Sequence, residues 1–511
     1  MILSERNIKK IDQQEGLVIP GEQLFSLPEK VLQFGTGVLL RGLPDYFIDK
    51  ANRTNIFNGR IVVVKSTSSG GTDSFDAQNG LFTLCERGIE NNQKVDNIII
   101  HSSISRVLSA KEEWNKILAC ASNPHMQIII SNTTEVGIVL TDDHVYANPP
   151  NSFPGKLLAF LIARYTAFKG KEESGMVIVP TELIVDNGNK LKAIVIQLAK
   201  KNNIDPDIIA WIESANDFCN SLVDRIVPGK LPKSEQEMIE ERLGYTDELM
   251  IMSECYRLWA IETKSERTKE ILSFAKADSG VIIADNINVF RELKLRLLNG
   301  PHTFTCGLAF LAGFHTVKQA MDDAVFSYFI THLMTDEIAP AIISDQLSLH
   351  EAREFSQKVL DRFRNPYIEH QWLSITMQYS SKMKMRNVPI LQKNYERNGF
   401  VSDGLSFGFA AYILFMKSEL NEKNEYVGML NDKGYKITDD YASVLNKIWK
   451  ESNDYKSVVI KILSAESLWG TDLSALSGFS EKVIQYLELF LKNGVAATLQ
   501  QYHSSKISTK K

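Results

Sequence analysis

The chain has 511 residues, 44% of them hydrophobic and 23% charged, with a formal net charge of −5. That length suits two to four domains with large buried cores, and the composition is that of an ordinary soluble globular protein. No basic block or arginine-rich arm points to nucleic acid, and no apolar run approaches the ~18 residues a membrane helix needs.

The N-terminus, "MILSERNIKKIDQQEG", turns polar within five residues and does not read as a signal peptide. Cys85, Cys120, Cys219, Cys255 and Cys306 are odd in number and never spaced as CxxC. They predict a reducing cytoplasm, without a disulfide framework or a zinc site.

The first half alternates short β-branched runs with helical stretches: "KVLQF" to Phe34, "GRIVVV" to Val64, "NIII" to Ile100, "QIIIS" to Ser131 and "GMVIVP" to Pro180. Continuous Val/Ile runs of this kind predict strands buried on both faces of a mostly parallel sheet. The insertion from Ser66 to Gly88 reads as a Gly/Ser loop followed by "LFTLCERG", a strand added to that sheet. From about Asn286 strand runs nearly vanish and long helical patterns take over, such as "FSYFITHLMTDEIAPAII" and "EKVIQYLELFLKNGVAATLQQY". The predicted organisation is an α/β domain of the Rossmann type over 1–285 and an all-α domain over 286–511, ending in a frayed lysine-rich tail.

"KVLQFGTGVLLRG" puts Gly35 and Gly37 directly after the first strand. A dinucleotide fold needs one glycine there for the tight turn and one for the approach of the pyrophosphate to the helix N-terminus. Leu40 stands where a third glycine would be, and Arg41 offers a cation to the phosphates. After the second strand, "IVVVKSTSS" presents Lys65, Ser66 and Thr67 where an acid would hold the ribose 2′-hydroxyl. A cation and hydroxyls tolerate a 2′-phosphate, so composition leans away from strict NAD selectivity.

"LKLRLLNGPHT" sets Lys294 and Arg296 among leucines, then Asn299, Gly300, Pro301 and His302. A residue before proline avoids the α region, so the helix is expected to end at Asn299, with His302 beyond the break. A lysine near a helix C-terminus is also what the helix dipole favours. The chemistry open to these residues is hydride transfer at an alcohol. A lysine desolvated near another cation has a lowered pKa and can act as a base, and an asparagine amide can donate to an oxyanion. "ELIVDNGNKL" (Glu182 to Leu191), "ISNTTEVG" and "NSLVDRIVPG" are further polar stretches in loop settings.

Together these residues resemble the long-chain mannitol dehydrogenase family. Lys294, Asn299 and His302 keep its K-x4-N-x2-H spacing, "VDNGN" looks like its Asp-Asn segment, and "NSLVDRIVPG" and "FPGKL" are similar to two further motifs. The resemblance runs from about residue 29 to about 490. It implies a Rossmann-type domain, a helical domain and NAD-linked, metal-independent chemistry. "QFGTGVLLRG", "SNTTEVGI", "ELIVDNG" and "HQWLSITMQYSSKMKMRNVP" look most like the branch that reversibly reduces the keto acid tagaturonate to altronate. It assigns Lys294 as general acid/base, Asn187 and Asn299 as oxyanion donors and His302 as a polar partner of the reacting oxygen. Cofactor contacts fall on Gly35, Gly37, Val38, Leu39, Arg41, Lys65, Thr134 and Glu135, and substrate contacts on Asp224, Lys382 and Arg386.

A uronate carries a carboxylate that must be paired to be desolvated. "SSKMKMRNVP" supplies Lys382, Lys384 and Arg386, of which Lys382 and Arg386 share a helical face. Lys382 sits where the family places a substrate-site lysine, while Ser374 replaces the polyol enzymes' arginine eight residues earlier. Expected partners are a hexuronate or aldonate, with the chain a monomer or small homo-oligomer. The competing readings are a fructuronate or mannitol oxidoreductase of the same family, and a nucleotide-binding regulator without turnover.

Overall fold

In the computed structural model, residues 1–66, 71–133 and 137–508 are described. They fall into two compact units, Met1–Gly88 with Lys94–Ile287, and Ile89–Gln93 with Asn288–Lys511.

The first unit is organised by a six-stranded sheet in the order Ile104–Ser109, Arg60–Lys65, Glu29–Phe34, Ile128–Ser131, Val177–Pro180, Asp217–Phe218. Every pairing within it is parallel. Alternate residues of the apolar runs go to opposite faces, as a period of two requires. Leu32, Phe34, Val62, Val64 and Ile129 enter one core, and Val31, Ile61, Val63, Ile128 and Ile130 enter the other. With helices on both faces, uninterrupted Val/Ile runs are the stable choice. Strand order reverses between Glu29–Phe34 and Ile128–Ser131, whose last residues are in register. That reversal is where open α/β sheets bind ligands, beyond the carboxyl ends of the strands.

Two expected strands belong elsewhere. Phe82–Glu90, which contains most of "LFTLCERG", and Gln93–His101, which contains "NIII", lie in a separate four-stranded sheet with Leu17–Val18 and Ile251–Glu254. Apolar periodicity marks a strand but not its neighbour, so the added-strand expectation is corrected to a second sheet. A three-stranded sheet of Ser221–Asp224, Leu258–Glu262 and Val281–Ala284 completes this unit.

The second unit is mostly helical, but it is not all-α. Glu419–Leu420, Tyr426–Leu430 and Lys433–Ile437 form an antiparallel sheet. Its tight turn places Asn431 and Asp432 at φ 48° and 60°, the left-handed pair that a two-residue hairpin demands. At the centre runs Asp403–Phe415, buried along nearly its whole length. Its N-terminal amides Gly404 N and Leu405 N donate to the Glu337 carboxylate at 2.9 and 3.0 Å. Burial nonetheless pushes that carboxyl up to about 7.

The expected helix stop at Asn299 is also corrected. The helix Asn288–Leu293 widens into a π-helical turn over Lys294–Asn299 and continues as Gly300–Leu311. The Gly300 amide bonds back to the Leu295 carbonyl, five residues away. Proline inside a helix lacks an N–H and crowds the carbonyl four residues back. A widened turn absorbs that misfit, so Pro301 continues the helix instead of ending it. The same solution recurs at Leu333–Ile338 before Pro340 and at Met383–Asn387 before Pro389. Such turns cluster at functional sites. No helix among the described residues is long and apolar enough to cross a membrane.

Candidate active site

At the carboxyl edge of the parallel sheet, Gly35 has φ +130°, and a Cβ there would meet Leu40 Cδ1 at 2.8 Å and the Asn132 carbonyl at 3.2 Å. Gly37 precedes Val38–Gly42, and among the described residues nothing lies within 4 Å of where its Cβ would stand. The first glycine makes the tight turn and the second leaves open space for a bulky ligand to approach the backbone. Val38 and Leu39 are half-buried beside it.

Arg41 does not face that space. Its guanidinium is buried, donates from Nη1 to the Leu249 carbonyl at 2.5 Å and lies over the rings of Phe75 and Phe82. Burial pushes its pKa down, opposed by Asp247 and Asp45. It is an internal anchor, which corrects the phosphate role expected of it. Lys65 is the buried last residue of its strand. Thr67, Thr134 and Glu135 lie outside the described residues.

Asn187 is corrected as well. Its side chain is fully buried, and Nδ2 faces the carbonyls of Pro180, Glu182 and Ser221 at 3.0–3.1 Å. Oδ1 accepts from Gly188 N at 2.9 Å and Ser221 N at 2.8 Å. Every polar atom of the amide is used to tie the loop after Val177–Pro180 to the strand Ser221–Asp224, which leaves no donor for an oxyanion. Asn187→Ala is expected to destabilise the protein by about 3 kcal/mol, lowering Tm by roughly 6–12 °C, because several buried backbone groups lose their partner. Turnover by the folded fraction should change little. Unaltered melting with collapsed turnover would restore the oxyanion role.

Asp224 ends its strand in the interior at 8% exposure, a poor position for a substrate contact. Beside it the buried Arg225 donates to Gly42 O, Glu254 O and Glu86. Glu182, which opens the polar stretch "ELIVDNGNKL", accepts from Thr133 N at 2.8 Å and Ser131 Oγ at 3.2 Å, and so shapes the loop after the fourth strand of the sheet.

The second unit gathers most of the chemistry. The widened turn carries Lys294 and Asn299, both half-buried. The Asn299 carboxamide has no hydrogen-bond partner among the described residues. One turn on, the His302 ring stacks on Phe363 at 4.1 Å and 16°, and stands edge-on to His370 at 5.5 Å and Trp372 at 5.9 Å. Its Nε2 is enclosed without a partner. Burial pushes its pKa well below the ordinary imidazole value, and the fields of His370, Arg362, Arg386 and Lys382 push it further. His302 is therefore neutral at neutral pH.

Lys382 and Arg386 flank this ring, four residues apart. Lys382 Nζ donates to the Ile375 carbonyl at 2.9 Å, and Arg386 Nη1 donates to Thr303 Oγ1 at 3.1 Å. Neither forms a salt bridge with a carboxylate among the described residues. Burial, then Arg386, lowers the Lys382 pKa, opposed by Cys306 and then Asp439, whose oxygens accept from Ser380 N and Tyr441 N. Lys382, Arg386 and His302 are thus gathered in one part of the second unit. Arg362 escaped the sequence reading, and His370 and Trp372, though inside the quoted "HQWLSITMQYSSKMKMRNVP", were given no role there, since no periodicity links them to His302.

The Mannitol dehydrogenase Rossmann domain model matches residues 29–272, and the Mannitol dehydrogenase C-terminal domain model matches 286–491. The chain is 37% identical to an altronate oxidoreductase of Bacillus subtilis (strain 168), over 93% of this chain and 95% of that relative. The chain belongs to the mannitol dehydrogenase family. Another family member, an altronate oxidoreductase of Klebsiella pneumoniae (strain 342), is 35% identical over 94% of this chain and 98% of its own. Among solved structures, a D-sorbitol dehydrogenase in substrate-free form superposes with a TM-score of 0.76 at 20% identity, covering 98% of this chain and 100% of that one. Pseudomonas fluorescens mannitol 2-dehydrogenase, in a ternary complex with NAD and D-mannitol, gives 0.64 at 21%, covering 98% and 99%. These two establish the shared fold. Family membership makes the protein an oxidoreductase that acts on CH–OH groups of a small-molecule substrate.

Proposed function

We propose that the protein interconverts tagaturonate and altronate with NAD(H), that Lys294 moves the hydroxyl proton, and that no metal takes part. The observation that carries the acid substrate is the Lys382–Arg386 pair, two partly buried cations near His302 that form no salt bridge among the described residues. A substrate carboxylate supplies the missing charge, and a neutral polyol would leave both cations uncompensated. The similarity to altronate oxidoreductases over nearly the whole chain supports the same reading.

The Gly35–Gly37 turn suits a dinucleotide, since its open side lets a pyrophosphate reach the backbone. NAD(H), when bound, accepts or supplies the hydride. The Lys294 amine takes the proton from the alcohol during oxidation and returns it during reduction. The unpartnered Asn299 carboxamide donates to the oxygen as charge develops, without changing its own charge. The neutral His302 gives the same oxygen a polar neighbour and leaves proton transfer to the lysine.

The test is purified protein assayed with NADH against tagaturonate, fructuronate and fructose, before and after exhaustive dialysis against chelator. Tagaturonate should be strongly preferred and the dialysed protein fully active. Equal use of fructose would sink the uronate reading, and zinc-restored activity would sink the metal-free one. Lys65 bears on cofactor choice, because it ends the second strand of the dinucleotide fold where an acid would select NAD. Lys65→Met is expected to reduce NADPH use more than NADH use. Equal losses would place Lys65 away from the ribose.

A further inference from the structure

Two widened helical turns meet in the second unit, and one arginine joins them. Arg296, on Lys294–Asn299, is buried, and its Nη1 donates to the Met385 carbonyl at 2.7 Å and the Arg386 carbonyl at 2.8 Å. Its Nε pairs with Glu292 at 3.1 Å. The residue four positions beyond Met385 is Pro389, which has no N–H to give, so Arg296 fills an acceptor that the helix leaves vacant. Asn387 answers from the other side. With its carboxamide oriented to match its neighbours, it accepts from Phe304 N at 3.2 Å and donates to Gly300 O at 3.3 Å.

The segments joined in this way carry different parts of the site. Lys294 and Asn299 lie on one, and Lys382 and Arg386 on or beside the other. We propose that Arg296 is a positioning residue that fixes the spacing between the proton-transfer group and the carboxylate anchor. This rests on the roles proposed above for Lys294 and the Lys382–Arg386 pair. Arginine suits the task because one planar fork reaches two successive carbonyls and a carboxylate together, which an ammonium group on a flexible stem cannot hold in one plane.

The experiment compares the full-length wild type with Arg296→Met and Arg296→Lys. It measures Tm, NADH binding by fluorescence, kcat and KM with tagaturonate, and amide hydrogen exchange over residues 300–304 and 385–390. For Arg296→Met, kcat should fall by tens of fold, since a misplacement of ~1 Å can cost ~100-fold. KM and NADH affinity should stay within about threefold, because each anchor remains intact. Exchange should quicken in both segments, and Arg296→Lys should recover part of the lost kcat. A kcat within about threefold of wild type overturns the proposal, as does a joint loss of kcat, KM, NADH affinity and Tm, which marks a merely structural role. A wild type inactive on tagaturonate removes the substrate reading instead. The brace is then judged on exchange alone, and unchanged exchange in Arg296→Met removes it.

Discussion

Lys294→Ala should abolish measurable turnover while NADH binding survives. General acid/base assistance is typically worth ~10²–10⁴-fold. His302, on the same continuous helix, is held well below its ordinary pKa by burial and by the surrounding cations, so it is a weak base. The Asn299 carboxamide cannot accept a proton at neutral pH. The widened turn also places Lys294 on a continuous helix, so the alanine substitution removes the amine without breaking the backbone that carries Asn299 and His302. Helix propensity favours alanine, and stability should hold. Tm and fluorescence titration with NADH provide the controls. A Lys294→Ala enzyme whose kcat stays within about tenfold of wild type would fall short of the general-base range and return the proton transfer to another group.

What could be read from the sequence followed the range of the interactions concerned. The alternation of Val31, Leu32, Val62 and Val63 between two cores is a local period, and it was visible as uninterrupted apolar runs. The Gly35–Gly37 turn was legible because the backbone at Gly35, at φ +130°, demands a glycine directly after the strand. Pro301 misled because its usual effect, ending a helix, was met by a widened turn whose support comes from Asn387, 86 positions along the chain. Asn187 and Arg41 misled for a related reason. A polar side chain beside a binding edge can serve the ligand or the scaffold, and only the carbonyls of Pro180, Ser221 and Leu249 decide between the two. His370 and Trp372 sit on or next to an irregular segment, where no pattern announces that they flank His302.

The substrate's charge gives the second large effect. Lys382→Met should raise the KM for tagaturonate by roughly 10- to 150-fold, the equivalent of about 1.5–3 kcal/mol for a hydrogen bond to a charged group. The NADH Kd should barely move. The methionine keeps the unbranched stem that packs in this half-buried position and removes only the ammonium. Removing one of two like charges also relieves the repulsion that Lys382 feels from Arg386, so part of the loss is offset by a better-stabilised guanidinium. For that reason the effects of Lys382→Met and Arg386→Met should not add. The double variant should lose less than the product of the two single losses, the pattern expected when two cations grip one carboxylate. A neutral ketose has no carboxylate to lose, and any residual turnover of fructose should rise or stay level in the same variants. If the keto-acid KM is unchanged in Lys382→Met, or if fructose and tagaturonate lose equally, the pair does not read the carboxylate and the site selects its substrate by other contacts.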